Sequence, residues 1–406
     1  MDDGELIAGW QVKRLEEVCD IARGGSPRPI KQFITDAEDG VNWIKISDAT
    51  ASTKYIYETK QKIKPEGIQR SRFVKEGDFI LSNSMSFGRP YIMKTSGCIH
   101  DGWLVLSDRE GAFNQDFLYY FLSSPAAYKQ FNDKAAGSTV RNLNIDLVKS
   151  VEVLFPPLPE QKRIVAILDE AFAGISLAEA NAEKNLANAR ELLESYFNNV
   201  FTQKGDGWTL RRLEDICSIS SKLIDPREAE YINLPHIGAG NIVSMTGELI
   251  GIKTAKEEKL ISGKFFFDKE MVLYSKIRPY LMKTCRPDFN GLCSADIYPL
   301  SVKPKELERN FLYYLLMSKH FTDYAIAGSA RAGMPKVNRN HLFNYQVSIP
   351  NLSEQKKISD KLDELFIEKS RLESIYQQKL TALNELKQSI LQKAFAGELT
   401  RDCDNE

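Results

Sequence analysis

Two long stretches of this chain place apolar residues three and four positions apart. In the first, Ile164, Leu168, Ala171, Ile175, Ala178, Ala182, Leu186, Ala189, Leu193, Tyr196 and Val200 fall on one stripe. In the second, Ile358, Leu362, Leu365, Leu372, Tyr376, Leu380, Leu383 and Ile390 do the same. That rhythm predicts two long helices with narrow apolar seams, the first with a stutter near Ala182–Leu186. Pro159 sits where a first helical turn tolerates proline, and Ser353 is a good N-cap type. Glu160 and Glu354 suit the positive ends of the helix dipoles, and Gly205 and Gly397 follow the other ends. Each helix holds around 40 residues, about 60 Å. Seams this narrow predict that the helices pair with one another, the alternative being that each packs on its own domain. Lys369 and Lys387 interrupt the second stripe and are expected at frayed or solvent-facing turns.

Outside the helices the pattern shortens. VNWIKIS, GDFILSNS, YIMKTS and GWLVLS precede the first helix, and YINLPHI, EMVLYSK and DIYPLSV precede the second. Gly, Pro, Asn and Ser punctuate these β-type segments. FLYYFL at Phe117 and FLYYLL at Phe311 read as helices buried against the sheet. The expected unit is α+β, with a curved, mostly antiparallel sheet.

The two halves match in order. Gln161 of LPEQK and Gln355 of LSEQK lie 194 positions apart, and the same offset relates FLYYFL to FLYYLL and Phe201 to Phe395. Arg89-Pro90-Tyr91 answers Arg278-Pro279-Tyr280, and Trp10 with KRLEEVCDI answers Trp208 with RRLEDICSI. Collinear matches of this kind mark an internal repeat. The organisation is globular unit 1–155, helix 156–204, globular unit 205–349, and helix with tail 350–406. Tyr91 and Tyr280 are expected in the cores. Arg89 and Arg278, shared by both copies, are expected to serve the common frame or backbone contacts.

Composition adds limits. The 406 residues are 43% hydrophobic and 27% charged, with net charge −1. That balance is ordinary for globular protein and less basic than most nucleic-acid binders, although a local basic face can be hidden in a neutral total. The six cysteines form no Cys-x-x-Cys pair and the four histidines are isolated, so no zinc-type spacing is present. His100, His320 and His341 read as surface or satisfied core residues. MDDGELIAGW lacks an apolar signal core, and the expected compartment is the cytoplasm. No catalytic signature survives inspection. GSARAGMPK at Gly328 lacks the Lys-Ser/Thr ending of a phosphate loop, HIGAGN at His236 is an incomplete dinucleotide fingerprint, and Pro156-Pro157 lacks the flanking residues of an amino-methyltransferase motif.

The order of variable unit, Leu-Pro-Glu-Gln helix, variable unit and Leu-Ser-Glu-Gln helix ending in LQKAFAGEL resembles the specificity subunits of type I restriction–modification systems. Pro157 to Gln161, Asn351 to Gln355 and Ala394 to Leu399 carry the resemblance, and ARGGSPRP (Ala22 to Pro29) is similar to that family's glycine-rich turn. The second copy has SSKLIDP instead. The resemblance implies two target-recognition domains reading the halves of a split DNA sequence, with an antiparallel helical spacer docking two methyltransferase subunits. Restriction subunits would join that core, and S-adenosylmethionine and ATP with Mg would bind the partners, not this chain. The alternative is a two-headed protein–protein adaptor that does not bind DNA.

Base and phosphate contacts need Arg, Lys, Asn, His or small hydroxyls on loops. The candidates in copy one are Arg23, Ser26, Arg28, Lys45, Arg89, Arg141, Asn142 and Asn144. In copy two they are His236, Asn241, Lys276, Arg278, Arg331, Lys336, Asn338 and Arg339. The loops GSTVRNLN and GSARAGMPKVNRN hold the densest clusters.

Overall fold

A computed structural model describes residues 9–50, 52–83, 87–135, 142–202, 205–220, 222–329 and 335–400. The chain forms two units: residues 1–182 with 378–406, and residues 183–377. The long helices run Leu158–Thr202 and Leu352–Phe395, 45 and 44 residues. Each contributes one half to each unit. The second is capped by Asn351, whose side chain accepts from the Glu354 amide at 3.0 Å, so Ser353 lies inside the helix and the capping oxygen comes two residues earlier than expected.

In place of one curved sheet, each unit has three small ones, because strands of two to six residues broken by Gly and Pro cannot continue a single surface. In the first unit, Gln11–Arg14 pairs with Glu152–Phe155. A second sheet has the order Cys19–Arg23, Trp103–Asp108, Phe79–Ser82, Pro90–Met93, Tyr55–Ile56. A third has the order Ile34–Thr35, Lys62–Ile63, Val41–Ile44, Gly97–Ile99, Arg72–Val74. The second unit repeats the plan. Thr209–Arg212 pairs with Gln346–Ile349, and Cys217–Ile219, Ile297–Val302, Val272–Ser275 and Thr284–Cys285 follow the order of the second sheet. Its remaining sheet keeps the four-strand order and even the parallel pair, His236↔Leu292 answering Trp43↔Cys98. The copies differ in the fifth strand: Ile34–Thr35 is added on one edge in the first unit, Leu223–Ile224 on the opposite edge in the second.

The helical seams are buried as the periodicity requires. In the first unit Ile164, Leu168, Phe172 and Ile175 join Leu391, Ala394 and Phe395 in one core, and the Phe395 ring packs 5.3 and 5.5 Å from those of Phe117 and Phe121. In the second unit Phe201 stands 5.4 Å from Phe311 and Phe197 6.2 Å from Phe366. Arg190 pairs with Glu373 at 2.7 Å. Rising numbers on one helix meet falling numbers on the other, so the segments are antiparallel. The two seam lysines are not frayed. Lys387 lies over the Phe172 ring at 5.2 Å, and Lys369 bonds Glu373 at 3.3 Å. Their long stems cover apolar surface while the charges find partners.

The repeated glutamine joins each helix to its globular body. Gln161 is fully buried. Its Nε2 donates to the carbonyls of Ala112 and Pro156, both at 2.9 Å, and its Oε1 accepts from the Asn114 amide at 2.7 Å. Gln355 makes the same three bonds, to Glu306 at 3.0 Å, Pro350 at 2.8 Å and the Glu308 amide at 2.8 Å. All four residues of each set are displaced by the repeat offset. A second repeated link joins the Tyr120 hydroxyl to Asp169 and that of Tyr314 to Asp363.

The Arg-Pro-Tyr landmarks do not share a conformation. Pro90–Met93 is a fully covered strand with Tyr91 buried. Arg278 has φ 50°, and Pro279–Leu281 forms a short 3-10 turn. Tyr280 is 52% exposed, contrary to the expected core position, because the left-handed entry turns its side chain outward.

Removing one member of a buried hydrogen-bonded set leaves its partners unpaired, at about 1–3 kcal/mol. Gln161→Ala therefore lowers the stability of the first unit by that amount and Gln355→Ala that of the second. Hydrogen exchange should show lost protection at Asn114 in one variant and at Glu308 in the other.

Candidate nucleic-acid interface

The glycine-rich turn is a close approach of two chain segments. Gly24 donates to the Trp103 carbonyl at 2.9 Å and Gly25 to that of Ile99 at 3.1 Å. A Cβ on Gly24 would lie 2.0 Å from the His100 carbonyl oxygen, so a side chain there would force the turn away from the sheet. Asp101 then gathers the candidates. Its Oδ1 accepts from Ser26 Oγ at 2.7 Å, its Oδ2 lies 3.8 Å from the Arg28 guanidinium, and its carbonyl accepts from Arg23 Nε at 3.1 Å and Asn83 Nδ2 at 2.9 Å. The Ser26 bond holds the Asp101 carboxyl below its usual range. Lys45 reaches Gln61 Oε1 at 3.1 Å. Ser26, Arg28, Lys45 and His100 line one cleft of ≈ 1030 Å³.

Arg89 and Asn142 belong to another edge of the same unit. Leu143 donates to the Asn83 carbonyl at 2.8 Å, and the Arg89 carbonyl accepts from Ser82 at 3.3 Å. Both side chains are exposed, with the Arg89 guanidinium 5.3 Å above Tyr91. Asn144 is occupied differently. It caps the helix Ile145–Lys149, accepting from the Leu147 amide at 2.8 Å. Arg141 lies outside the described residues.

In the second unit Ile277 bridges Lys336, Arg278 donates to the Pro335 carbonyl and Val337 to that of Lys276. This brings Lys276, Arg278 and Lys336 together. Lys336 stands 3.8 Å from Asp296. Burial and the nearby Lys336 charge lower the Lys276 pKa, and its ammonium lies 5.1 Å from the Tyr298 ring. Arg339 covers Phe343 at 5.4 Å. Asn338 is the cap of Arg339–Phe343, accepting from His341 at 2.8 Å, the same task as Asn144. Asn241 closes a turn, accepting from Gly238 at 2.8 Å and donating to the Ile250 carbonyl at 3.0 Å. His236 is buried, with Nδ1 2.8 Å from Glu258, and burial lowers its pKa despite that carboxylate. These three residues are committed to local structure, and His236 is not on a loop surface. Arg331 lies outside the described residues.

Against this geometry the comparisons are decisive about kinship. A family model for the type I restriction modification DNA specificity domain matches residues 7–186 and again 205–382. The chain belongs to this family. The EcoDI specificity subunit of Escherichia coli is 30% identical over 318 residues, 70% of each chain. The MjaIX specificity subunit of Methanocaldococcus jannaschii is 21% identical over 431 residues, 98% of this chain and 95% of the relative. Among solved structures, a chain from work on assembly and conformational transition of the type I R-M system superposes with TM-score 0.75 at 20% identity, covering 98% and 100%. The HsdS subunit from Thermoanaerobacter tengcongensis gives 0.64 at 21%, covering 98% and 99%. At those identities the likeness speaks for the fold.

A type I specificity subunit recognises target DNA and leaves catalysis to other subunits. Among the described residues no His, Cys, Asp and Glu group could hold a metal, and no helix is long and apolar enough to cross a membrane. Candidate selection by residue type missed Asp101, the organiser of the glycine-rich turn. An acidic residue is not chosen when phosphate and base contacts are sought, and its partners lie up to 78 positions away.

Loss of an N-cap costs about 1 kcal/mol. Asn144→Ala and Asn338→Ala should each lower stability by that amount in chemical denaturation, whereas exposed Asn142→Ala should stay within about 0.5 kcal/mol of the parent.

Proposed function

We propose that each globular unit of this specificity subunit reads one half of a bipartite, asymmetric duplex target, and that the antiparallel helices dock two methyltransferase subunits and, through them, restriction subunits. The observation that carries this reading is a repeated frame with unrepeated edges. The glutamine clamps, helix caps and sheet order recur, while most candidate donors differ: Arg23, Ser26, Arg28 and Lys45 in one unit, Lys276, Lys336 and Arg339 in the other, with Arg89 and Arg278 in common. A repeated frame meets equivalent backbone geometry about the dyad of DNA, and different edges read different bases. The helical spacer sets the gap, about one duplex turn or 34 Å between half-site centres. S-adenosylmethionine, ATP and Mg belong to the partners, and the cytoplasm is where such an assembly works.

Filter binding tests the reading. The chain with its methyltransferase subunit should hold one bipartite duplex with log affinity falling linearly in log salt, at about 0.9 per phosphate contacted. Salt-independent or absent DNA binding would favour an adaptor of other proteins. Arg141→Ala should weaken one half-site and Arg331→Ala the other; equal loss on both halves would refute that loop assignment. The chain alone, given S-adenosylmethionine and target DNA, should transfer no methyl group.

A further inference from the structure

The cleft beside the glycine-rich turn contains a histidine that the frame does not use up. The His100 ring sits between Trp43 and Trp103, with centroids 6.2 and 6.1 Å away. Its Nδ1 accepts from the Gly102 amide at 2.9 Å, so in the neutral ring the proton belongs to Nε2. Burial lowers the pKa of this imidazole more than Asp101 raises it, which keeps it neutral at pH 7. Gly102 permits the arrangement, since a Cβ there would stand 2.4 Å from the His100 Cε1. Nε2 has no hydrogen-bond partner among the described residues, and the ring lines the cleft. A single N–H is thus held in fixed orientation by two indoles and a backbone bond.

The surroundings indicate what meets it. Arg28, Lys31 and Lys45 border the cleft, and the Asp101 carboxylate is already engaged by Ser26 and Arg28. The remaining charge is positive, which suits a polyanion. Ile30 and Ile46 supply an apolar wall beside the donor. A fixed donor next to an apolar wall complements the major-groove edge of thymine, with its O4 acceptor and C5 methyl. We infer that His100 is a specificity-determining residue of the first unit, donating from Nε2 to a base-edge acceptor, thymine O4 by preference, in that unit's half-site. The inference rests on the reading of the unit as a DNA reader. The second unit lacks this imidazole: the strand pairing puts His236 in the place of Trp43 and Ser294 in the place of His100.

The test selects bound duplexes from a randomised bipartite library with the full chain and its methyltransferase subunit. His100→Phe keeps a ring between the tryptophans and removes the donor, whereas His100→Gln keeps a donor. The parent should yield a two-part motif. H100F should leave one part unchanged and lose the preference at one position of the other, about tenfold in relative affinity, within the range of a lost base contact. H100Q should recover part of it. Unchanged preference in H100F, a uniform loss at every position, or damage to both parts would overturn the inference while leaving the DNA-reading function intact. Failure of the parent to select any motif would remove that function and the inference with it. If H100F melts early, unaltered base preference in folded H100Q combined with wild-type preference in His100→Ala would likewise overturn it.

Discussion

The fold depends on one side chain used twice. A carboxamide can donate and accept at once, and Gln161 and Gln355 use both ends against main chain buried from water. Each bond alone is modest, but unpaired buried peptide groups are costly. The bonds join three segments: the stop before the long helix, the helix's first turn, and the loop leading into the aromatic helix. The angle at which a globular body leaves its helix is thereby set by main-chain geometry. That joint holds each body against its helix together with the shared apolar core and the Tyr120–Asp169 and Tyr314–Asp363 links.

That joint explains why some parts of the chain are repeated and others are not. Residues that satisfy shared backbone must keep both identity and spacing, as do Gln161 and Gln355 or Asn144 and Asn338, and the core rings Phe201 and Phe395 keep theirs through packing. Edges that touch only solvent or a target are free to differ. The added fifth strand on opposite sides of one sheet, and Tyr91 buried where Tyr280 is exposed, show the freedom reaching into secondary structure. Such a division suits a family whose general role is recognition of target DNA.

The long helices and the duplication were legible because helical periodicity and collinear matches are local or additive signals. The seam lysines were misread for a related reason. Periodicity treats charge as solvent-facing, whereas Lys387 rests on Phe172, a partner far away in the chain, and Lys369 is bonded to Glu373 one helical turn further along. The division into several small sheets was invisible, since strand pairing such as Trp43 with Cys98 is set by contacts over fifty positions apart. At the candidate interface, residue type alone could not tell a capping Asn144 from an exposed Asn142. Arg23, Ser26 and Arg28 were found by their turn, but the Asp101 that arranges them was not.

The central claim is that the two bodies are interchangeable in frame and independent in what they read. It is tested most directly by replacing residues 9–155 with residues 205–349 in the full chain and sequencing the duplexes that the chimera selects. The account predicts a symmetric motif, one half-site repeated in inverted orientation across an unchanged gap. A folded chimera that still selected the original asymmetric motif, or that shifted the gap, would contradict it.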